Sequence, residues 1–477
     1  MTQPPDVRTA PPPPVPAPPG PPGSPAPSGG PAPDGRPARA TAWAEGVQRL
    51  RAAATTEPGR LRIIGAVLAA LIVVFGAVTA WQVSDRSDAA GSVVDDSQQL
   101  SADAASVYRS LADANTTAAS GFLAEGNEPR SVRVRYEKDI RRASELLAEA
   151  AANSRGSASA QRQIAKLNRE LPRYTGLVES ARANNRQGLP LGGAYLRYAN
   201  DQMLQELLPA ARELYEAETA RLHDDYGDAK SWPWIALGLG LLTAAALGWA
   251  QRRHYHRTNR VFNPGLLGAT AAVLIALVWL TAGHALARSG LGESDERGAR
   301  SLHALNEAWI GSLQARGEEN LWLVARGAGS EYDESYGKRL KKVAGPGAGD
   351  PEKVGGQLAE ALSMADDAQG RDPVEEAHAS VRDWRERHAE ARKKEDSGDH
   401  KGAVALVIES EGSTGESFDK VDASLRKASE HEQAEFERAA ADGRGALRGL
   451  ALGAAVLAVL GAAAALLGIG RRLSEYR

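Results

Sequence analysis

The 477-residue sequence contains no cysteine, three methionines and only 5% aromatic residues. Without cysteine there are no disulfides, thiolate zinc sites or cysteine nucleophiles, so an exported segment has to hold together by packing. An excess of one charge is also missing. Lys and Arg number 57 against 60 Asp and Glu, a net charge of -3, which makes no case for nucleic acid. No phosphate-binding GxxxxGK[ST] loop and no HExxH occurs. The sequence therefore predicts a non-enzymatic protein with no catalytic, cofactor or metal residues. Apolar residues make up 43% of the chain, and they are concentrated rather than spread.

Four runs carry them: 61–82, 233–250, 265–287 and 447–470, each close to the length a helix needs to cross a bilayer and free of charge in its core. The absence of an ionisable group inside these runs argues against a transporter. Arg49, Arg51, Arg60 and Arg62 precede the first run, while Asp85, Asp88, Asp95 and Asp96 follow it. The positive-inside rule then keeps the chain before it in the cytoplasm and sends the chain after it outside. Some sixty residues come first, which fits an anchor and not a cleaved signal. The 251–264 loop holds Arg252, Arg253, Arg257 and Arg260 with no acid, and the 471–477 tail holds Arg471, Arg472 and Arg477. Both belong inside by the same rule. Arg444 and Arg448, just outside the fourth run, go against the pattern. The predicted location is the plasma membrane, multi-pass, with both termini cytoplasmic. Residues 1–40 are Pro-rich and read as a disordered tail, and 41–60 as an amphipathic juxtamembrane segment.

The two intervening segments, 84–232 and 288–446, read as long helices. In the first, Leu100, Val107, Leu111, Ala118 and Phe122 recur at sevens and fours, as do Ile164, Leu167, Leu171, Tyr174, Val178 and Ala181. Such stripes are the seams of antiparallel bundles. Breaks fall at 125–129, 154–159 and 184–190, and Pro172 and Pro209 predict kinks. The second segment repeats the plan with Leu302, Leu305, Trp309 and Leu313, a break at 327–330, and a middle helix around Val354, Leu358 and Leu362. Short matches at offsets near 200, such as Tyr136-x-Lys138 with Tyr336-x-Lys338, suggest a tandem duplication of span, helical head, span. The predicted fold is all-α: a polytopic membrane protein with four transmembrane helices and two extracytoplasmic, elongated four-helix bundles.

Since helix one leaves the membrane and helix four returns, the turns at 125–129 and 184–190 lie farthest out. Glu125, Asn127, Asn184, Asn185, Arg186 and Gln187 are thus candidates for docking a partner, and Arg252, Arg253, Arg257 and Arg260 for a cytoplasmic contact. Tyr195 and Tyr198 nearby serve either a docking tip or a core. The basic cluster Arg130, Arg133, Arg135, Lys138, Arg141 and Arg142 is either a receiving face or a solvated one. His254 and His256 read as solvated beside lipid headgroups, and His284, near the outer end of the third run, either snorkels to the interface or bonds to a neighbouring helix.

The run NRQGLPLGGAYLRYANDQMLQELLPAARELYEAE at 185–218, set between four spans, resembles the GlnX family of actinobacterial membrane proteins. That resemblance implies association with a glutamine-binding, extracytoplasmic solute-binding lipoprotein and with the cytoplasmic serine/threonine kinase PknG, and a role in relaying amino-acid availability between them. The heads also resemble the sensor modules of bacterial chemoreceptors, whose cytoplasmic signalling hairpin has no counterpart here. The expected function is a non-enzymatic signal relay. The alternatives are a direct small-molecule receptor, which the scarcity of polar residues on the apolar stripes disfavours, and a structural or transporter-accessory protein. Membrane lipids are expected partners, and self-association is left open.

Overall fold

A computed structural model describes residues 57–124, 128–154, 157–258, 263–346, 354–408 and 411–473. Residues 61–477 form one unit, and of residues 1–60 only the first turn of α1 is described. The Pro-rich tail and the 41–56 part of the juxtamembrane segment lie outside the described residues.

Helix α1 (Glu57–Ser92) passes through a π-helical turn (Val93–Ser97) directly into α2 (Gln98–Leu123). Helices α3 (Arg130–Asn153) and α4 (Ala158–Arg186) follow, then α5 (Leu191–Gln202), a second π turn (Met203–Leu207) and α6 (Leu208–Ala229). The described residues of this segment are helical because Leu and Ala recur on one face and Gly, Pro and Ser mark the breaks. Pro172 sits inside a continuous α4. Pro209 instead follows the second π turn, where a wider backbone ring absorbs the hydrogen bond that proline cannot donate. Next come α7 (Trp234–Thr258) and α8 (Pro264–Glu293), a third π turn (Ser294–Ala299) and α9 (Arg300–Val324). The last group is α10 (Ser330–Ala344), α11 (Gly356–Met364), α12 (Ala368–Asp396), α13 (His400–Ile408), α14 (Thr414–Leu447) and α15 (Leu450–Leu473).

Four helical stretches are long and apolar enough to cross a membrane, within α1, α7, α8 and α15. Their ends are tied in two groups. At one end Asn263 Nδ2 donates to Gly468 O at 3.0 Å, and Gln251 Nε2 to Thr270 Oγ1 at 2.7 Å. At the other, Ala236 N donates to Gln82 Oε1 at 2.9 Å, and His284 Nε2 lies 2.9 Å from Ser231 O. Arg444, the residue that goes against the charge pattern, pairs there with Asp95 at 2.8 Å. Small residues bring the helices close. A Cβ added at Gly76 would lie 2.1 Å from that of Ala458, and one at Gly265 would lie 2.4 Å from Ala464 O. In the fourth run Ala458 and Ala464 therefore lie where neighbouring helices come closest.

Both polar segments sit at the second end, and they share one hydrophobic core instead of enclosing two. Leu111, Leu147, Leu167 and Leu207 from the first belong to the same buried cluster as Leu305, Leu313, Trp384 and Leu425 from the second. The cause is α2 and α9. Seventeen of the 26 residues of α2 are buried, and seventeen of the 25 of α9. A helix buried that far round must be covered by more than its own bundle.

Candidate functional site

Helices α2 and α9 lie side by side at the centre. Arg109 bonds to Asn306, Thr116 Oγ1 donates to Leu313 O at 2.7 Å, and Asn320 Nδ2 donates to Ser120 Oγ at 2.7 Å. The contacts advance in the same direction along both helices, so the pair is parallel. Gly317 lies at the contact, where a Cβ would make an ordinary 3.4 Å approach to Thr116 Oγ1. Each member is continuous, through its own π turn, with an apolar helix: α2 with α1 and α9 with α8.

Buried charge is concentrated at two levels along this pair. At the middle level Arg135, from the basic cluster of α3, turns inward. It reaches Asp113 at 3.0 Å and, from the second segment, Asp422 at 3.4 Å. Asp422 also accepts from Trp309 Nε1 at 2.7 Å and pairs with Arg426 at 2.6 Å. Burial and the adjacent Asp113 carboxylate push Asp139 up to about 8. Arg135 thus fits neither reading of the basic cluster: it ties the two halves together.

At the far level the second segment holds a closed network. The fully buried Glu319 accepts from Arg316 at 2.5 Å, Trp384 Nε1 at 3.0 Å and Thr414 Oγ1 at 3.1 Å, and meets His388 Nδ1 at 2.8 Å. The other nitrogen of His388 lies 2.9 Å from Asp333, which Arg392 also pairs at 3.1 Å. Burial favours neutral His388, but the Asp333 and Glu319 carboxylates more than reverse that and raise its pKa. Burial likewise opposes ionised Glu319, and Arg316 and His388 overcome it, holding the carboxyl below its usual range. In the first segment the comparable place is taken by Arg182, paired with Glu128 at 2.9 Å and Glu179 at 2.7 Å and lying 4.2 Å over the Tyr136 ring.

The residues singled out from the sequence are distributed as follows. Asn184 and Asn185 are half-buried and hold backbone: Asn184 donates to Ser180 O at 2.8 Å and Asn185 to Phe122 O at 2.9 Å. Gly192 lets α5 sit against that turn, since a Cβ there would be 3.0 Å from Ala181 O. Arg186 and Gln187 are exposed, and beside them Leu189 (45%), Leu191 (54%) and Tyr198 (63%) face outward, whereas Tyr195 packs against the core. Glu125, Asn127 and Arg260 lie outside the described residues. Arg252 is exposed near the end of α7, Arg253 stacks over Trp249 at 5.4 Å, and Arg257 lies in the last turn of that helix. His284 bonds to Ser231, and its ring lies 5.2 Å from that of Trp232 at an angle of 54°. Asp367, His431 and Glu435 come together with His431 Nε2 at 3.1 and 3.6 Å from the carboxylates. Asp367 already caps α12 through Gly370 N.

Sequence reasoning missed a polar group on α2. Gln98, Ser101 and Asp103 are buried there, and Arg109 lies among them. The available signal was a second stripe of small residues, Ala105, Ala112, Thr116 and Ala119, opposite the leucine seam.

Residues 89–227 match the family model of an actinobacterial sensor domain. The match begins near the end of α1 and takes in α2 through most of α6, the first of the two polar segments. Over that span the chain is similar to actinobacterial sensors. Comparison with curated proteins and with solved structures finds no match.

Proposed function

We propose that the chain is a transmembrane sensor that relays an outside cue to a separate cytoplasmic protein. One observation carries the reading: the central parallel pair α2 and α9, each continuous with a membrane-crossing helix, lies partly within a segment that matches a sensor family. A displacement of one partner against the other is transmitted along a helix axis into the spans. The π turns sit at corresponding places, Val93–Ser97 and Ser294–Ala299, where the helix can change register.

Sidedness follows from charge. The ends bearing Arg62, Arg252, Arg253 and Arg471 are opposite the shared polar body, which supports placing that body outside and both termini in the cytoplasm. The exposed tip of Arg186, Gln187, Leu189, Leu191 and Tyr198 offers an apolar centre with a polar rim. In this reading it docks an extracytoplasmic solute-binding protein of the amino-acid type, and the basic ends face a serine/threonine kinase. The two halves are a tandem duplication whose lead helices became neighbours.

The absence of cysteine makes the topology directly testable. Arg186→Cys should react with an impermeant maleimide in intact cells, and Arg252→Cys only after permeabilisation; the reverse pattern refutes the assignment. Co-purification from native membranes tests the partners. Recovery of neither an outer binding protein nor a cytoplasmic kinase would end the relay reading.

A further inference from the structure

Between the two halves, next to the π turns, lies a cavity of about 470 Å³ walled by α2, α6, α9 and α14. Its polar lining is incompletely paired. Asp103 and Gln98 are only 4% and 5% exposed, yet Asp103 Oδ2 and Gln98 Oε1 have no hydrogen-bond partner, and neither does Ser429 Oγ. Buried acceptors are ordinarily satisfied, and leaving one bare is costly. Arg109 presents the opposite case. Its guanidinium bonds to Asn306 and, at 2.9 Å, to Ser106 Oγ, with the Trp309 ring 4.9 Å away. Among the described residues no carboxylate lies within ion-pair distance of it. A guanidinium carries five N–H donors, so the two neutral partners leave donors uncommitted. Burial pushes its pKa down to about 10, and the more distant Tyr215 and Asp422 only partly oppose that. Around the cavity three cations, Arg109, Arg142 and Arg426, face three anions, Asp103, Glu430 and Glu437. Of the cations, Arg426 is already held by Asp422.

A bare anion would meet as many carboxylates as guanidinium groups here, and a bare cation as many guanidinium groups as carboxylates. We infer that the cavity binds a small zwitterion of the amino-acid class, its carboxylate taken by Arg109 and its amino group by Asp103 and Gln98. Two of the walls, α2 and α9, are the central pair, so occupancy bears directly on their relative position. The inference deepens the sensing reading and rests on it only for that consequence; binding itself is independent.

The test is calorimetric titration of the full chain in lipid nanodiscs with each free L-amino acid, and with acetate and methylamine as single-charge probes. At least one amino acid should bind at one per chain, with acetate and methylamine at least tenfold weaker. Arg109→Gln should weaken binding tenfold or more while leaving the ligand-free melting temperature unchanged or higher, because a merely structural arginine would lower it. Arg109→Lys should retain part of the affinity, and Asp103→Asn should lose most of it, which keeps the test sound if Arg109→Gln fails to fold. Silence from every amino acid, affinity surviving Arg109→Gln within twofold, or acetate binding equally well would overturn the site. Binding with no change in cross-linking between Thr116→Cys and Leu313→Cys would uphold the site and refute transmission through the pair.

Discussion

Replacing Glu319 with Gln removes the only carboxylate that Arg316 pairs with among the described residues and one of the two that hold His388. The carboxylate is fully buried and has four partners: Arg316, Trp384, Thr414 and His388. The amide keeps the volume but leaves the Arg316 guanidinium and the His388 ring facing a neutral group. It also turns an NH₂ toward at least one donor. Removing one member of a buried ion pair typically costs about 3–5 kcal/mol, most of it from the charge left behind. His388 retains Asp333 and Arg316 retains Val407 O and Thr414 as neutral partners, so the lower half of that range is expected. At about 2 °C per kcal/mol for a body of this size, the melting temperature should fall by roughly 6–8 °C. The measurement is thermal unfolding in detergent or nanodiscs followed by tryptophan fluorescence, with Trp384 and Trp322 beside the site. Glu216→Ala is the control. Its pair with Arg212 is about half exposed on both sides and should contribute no more than about 0.5 kcal/mol. A melting temperature for Glu319→Gln within 1–2 °C of the parent, about the scatter of such assays, would refute the argument that this network holds the second half together.

The pH dependence has a definite sign. His388 has a raised pKa, so its contribution is complete below the unfolded histidine value of about 6.5 and is lost as pH rises through the folded value. Glu319 and Asp333 are lowered, so theirs is complete above the ordinary carboxylate range and is lost in acid. Stability from the network should therefore peak between about pH 4.5 and 6.5, and His388→Gln should flatten the alkaline limb of a melting-temperature profile. Asp139, pushed up to about 8, behaves oppositely to an ordinary carboxylate: it is best accommodated when protonated, and its penalty grows from about pH 4 to pH 8. Asp139→Asn should raise the melting temperature at pH 8 and do little at pH 4. In the apolar helices, Gly76→Leu would drive a side chain into Ala458 and should prevent assembly, seen as loss of a monodisperse peak in detergent, whereas Gly238→Leu, where nothing lies within 4 Å, should be tolerated. Arg444→Glu should weaken the junction with Asp95 by less than about 1 kcal/mol, since both groups are partly exposed, and pairing it with Asp95→Arg should restore the loss.

Much of this architecture is legible in the residues because the dominant signals are local. Uncharged runs of about twenty residues announce themselves, and the Leu111 and Leu167 seams give helices directly. The sharing of one core was not legible. The stripe that carries it, Ala105, Ala112, Thr116 and Ala119 on α2, consists of small and weakly polar residues, which read equally well as a solvated face. The same ambiguity hid Asp103 and Arg109. A charged side chain on a helix usually points to water, and only the arrival of α9 and α14 from two hundred residues away encloses these two. The distal turn was half legible. Asn184 and Asn185 stood out as polar loop residues, but their role in tying backbone depends on Phe122 O and Ser180 O, which the local text does not reveal. Pro209 announced a disturbance in the helix, but the π turn just before it, with Met203 and Leu207 buried, had no local signal.

The parallel pair at the centre has a consequence for what each strand of it is free to be. Receptors assembled from two identical subunits must present the same side chain to both sides of their axis, so any residue placed there is placed twice. Here both partners are encoded on a single polypeptide, and that obligation disappears. Arginine at 109 meets asparagine at 306, and the buried ion network is built on His388 in one half and on Arg182 in the other. Each helix of the pair is thus free to change without a matching change in its neighbour.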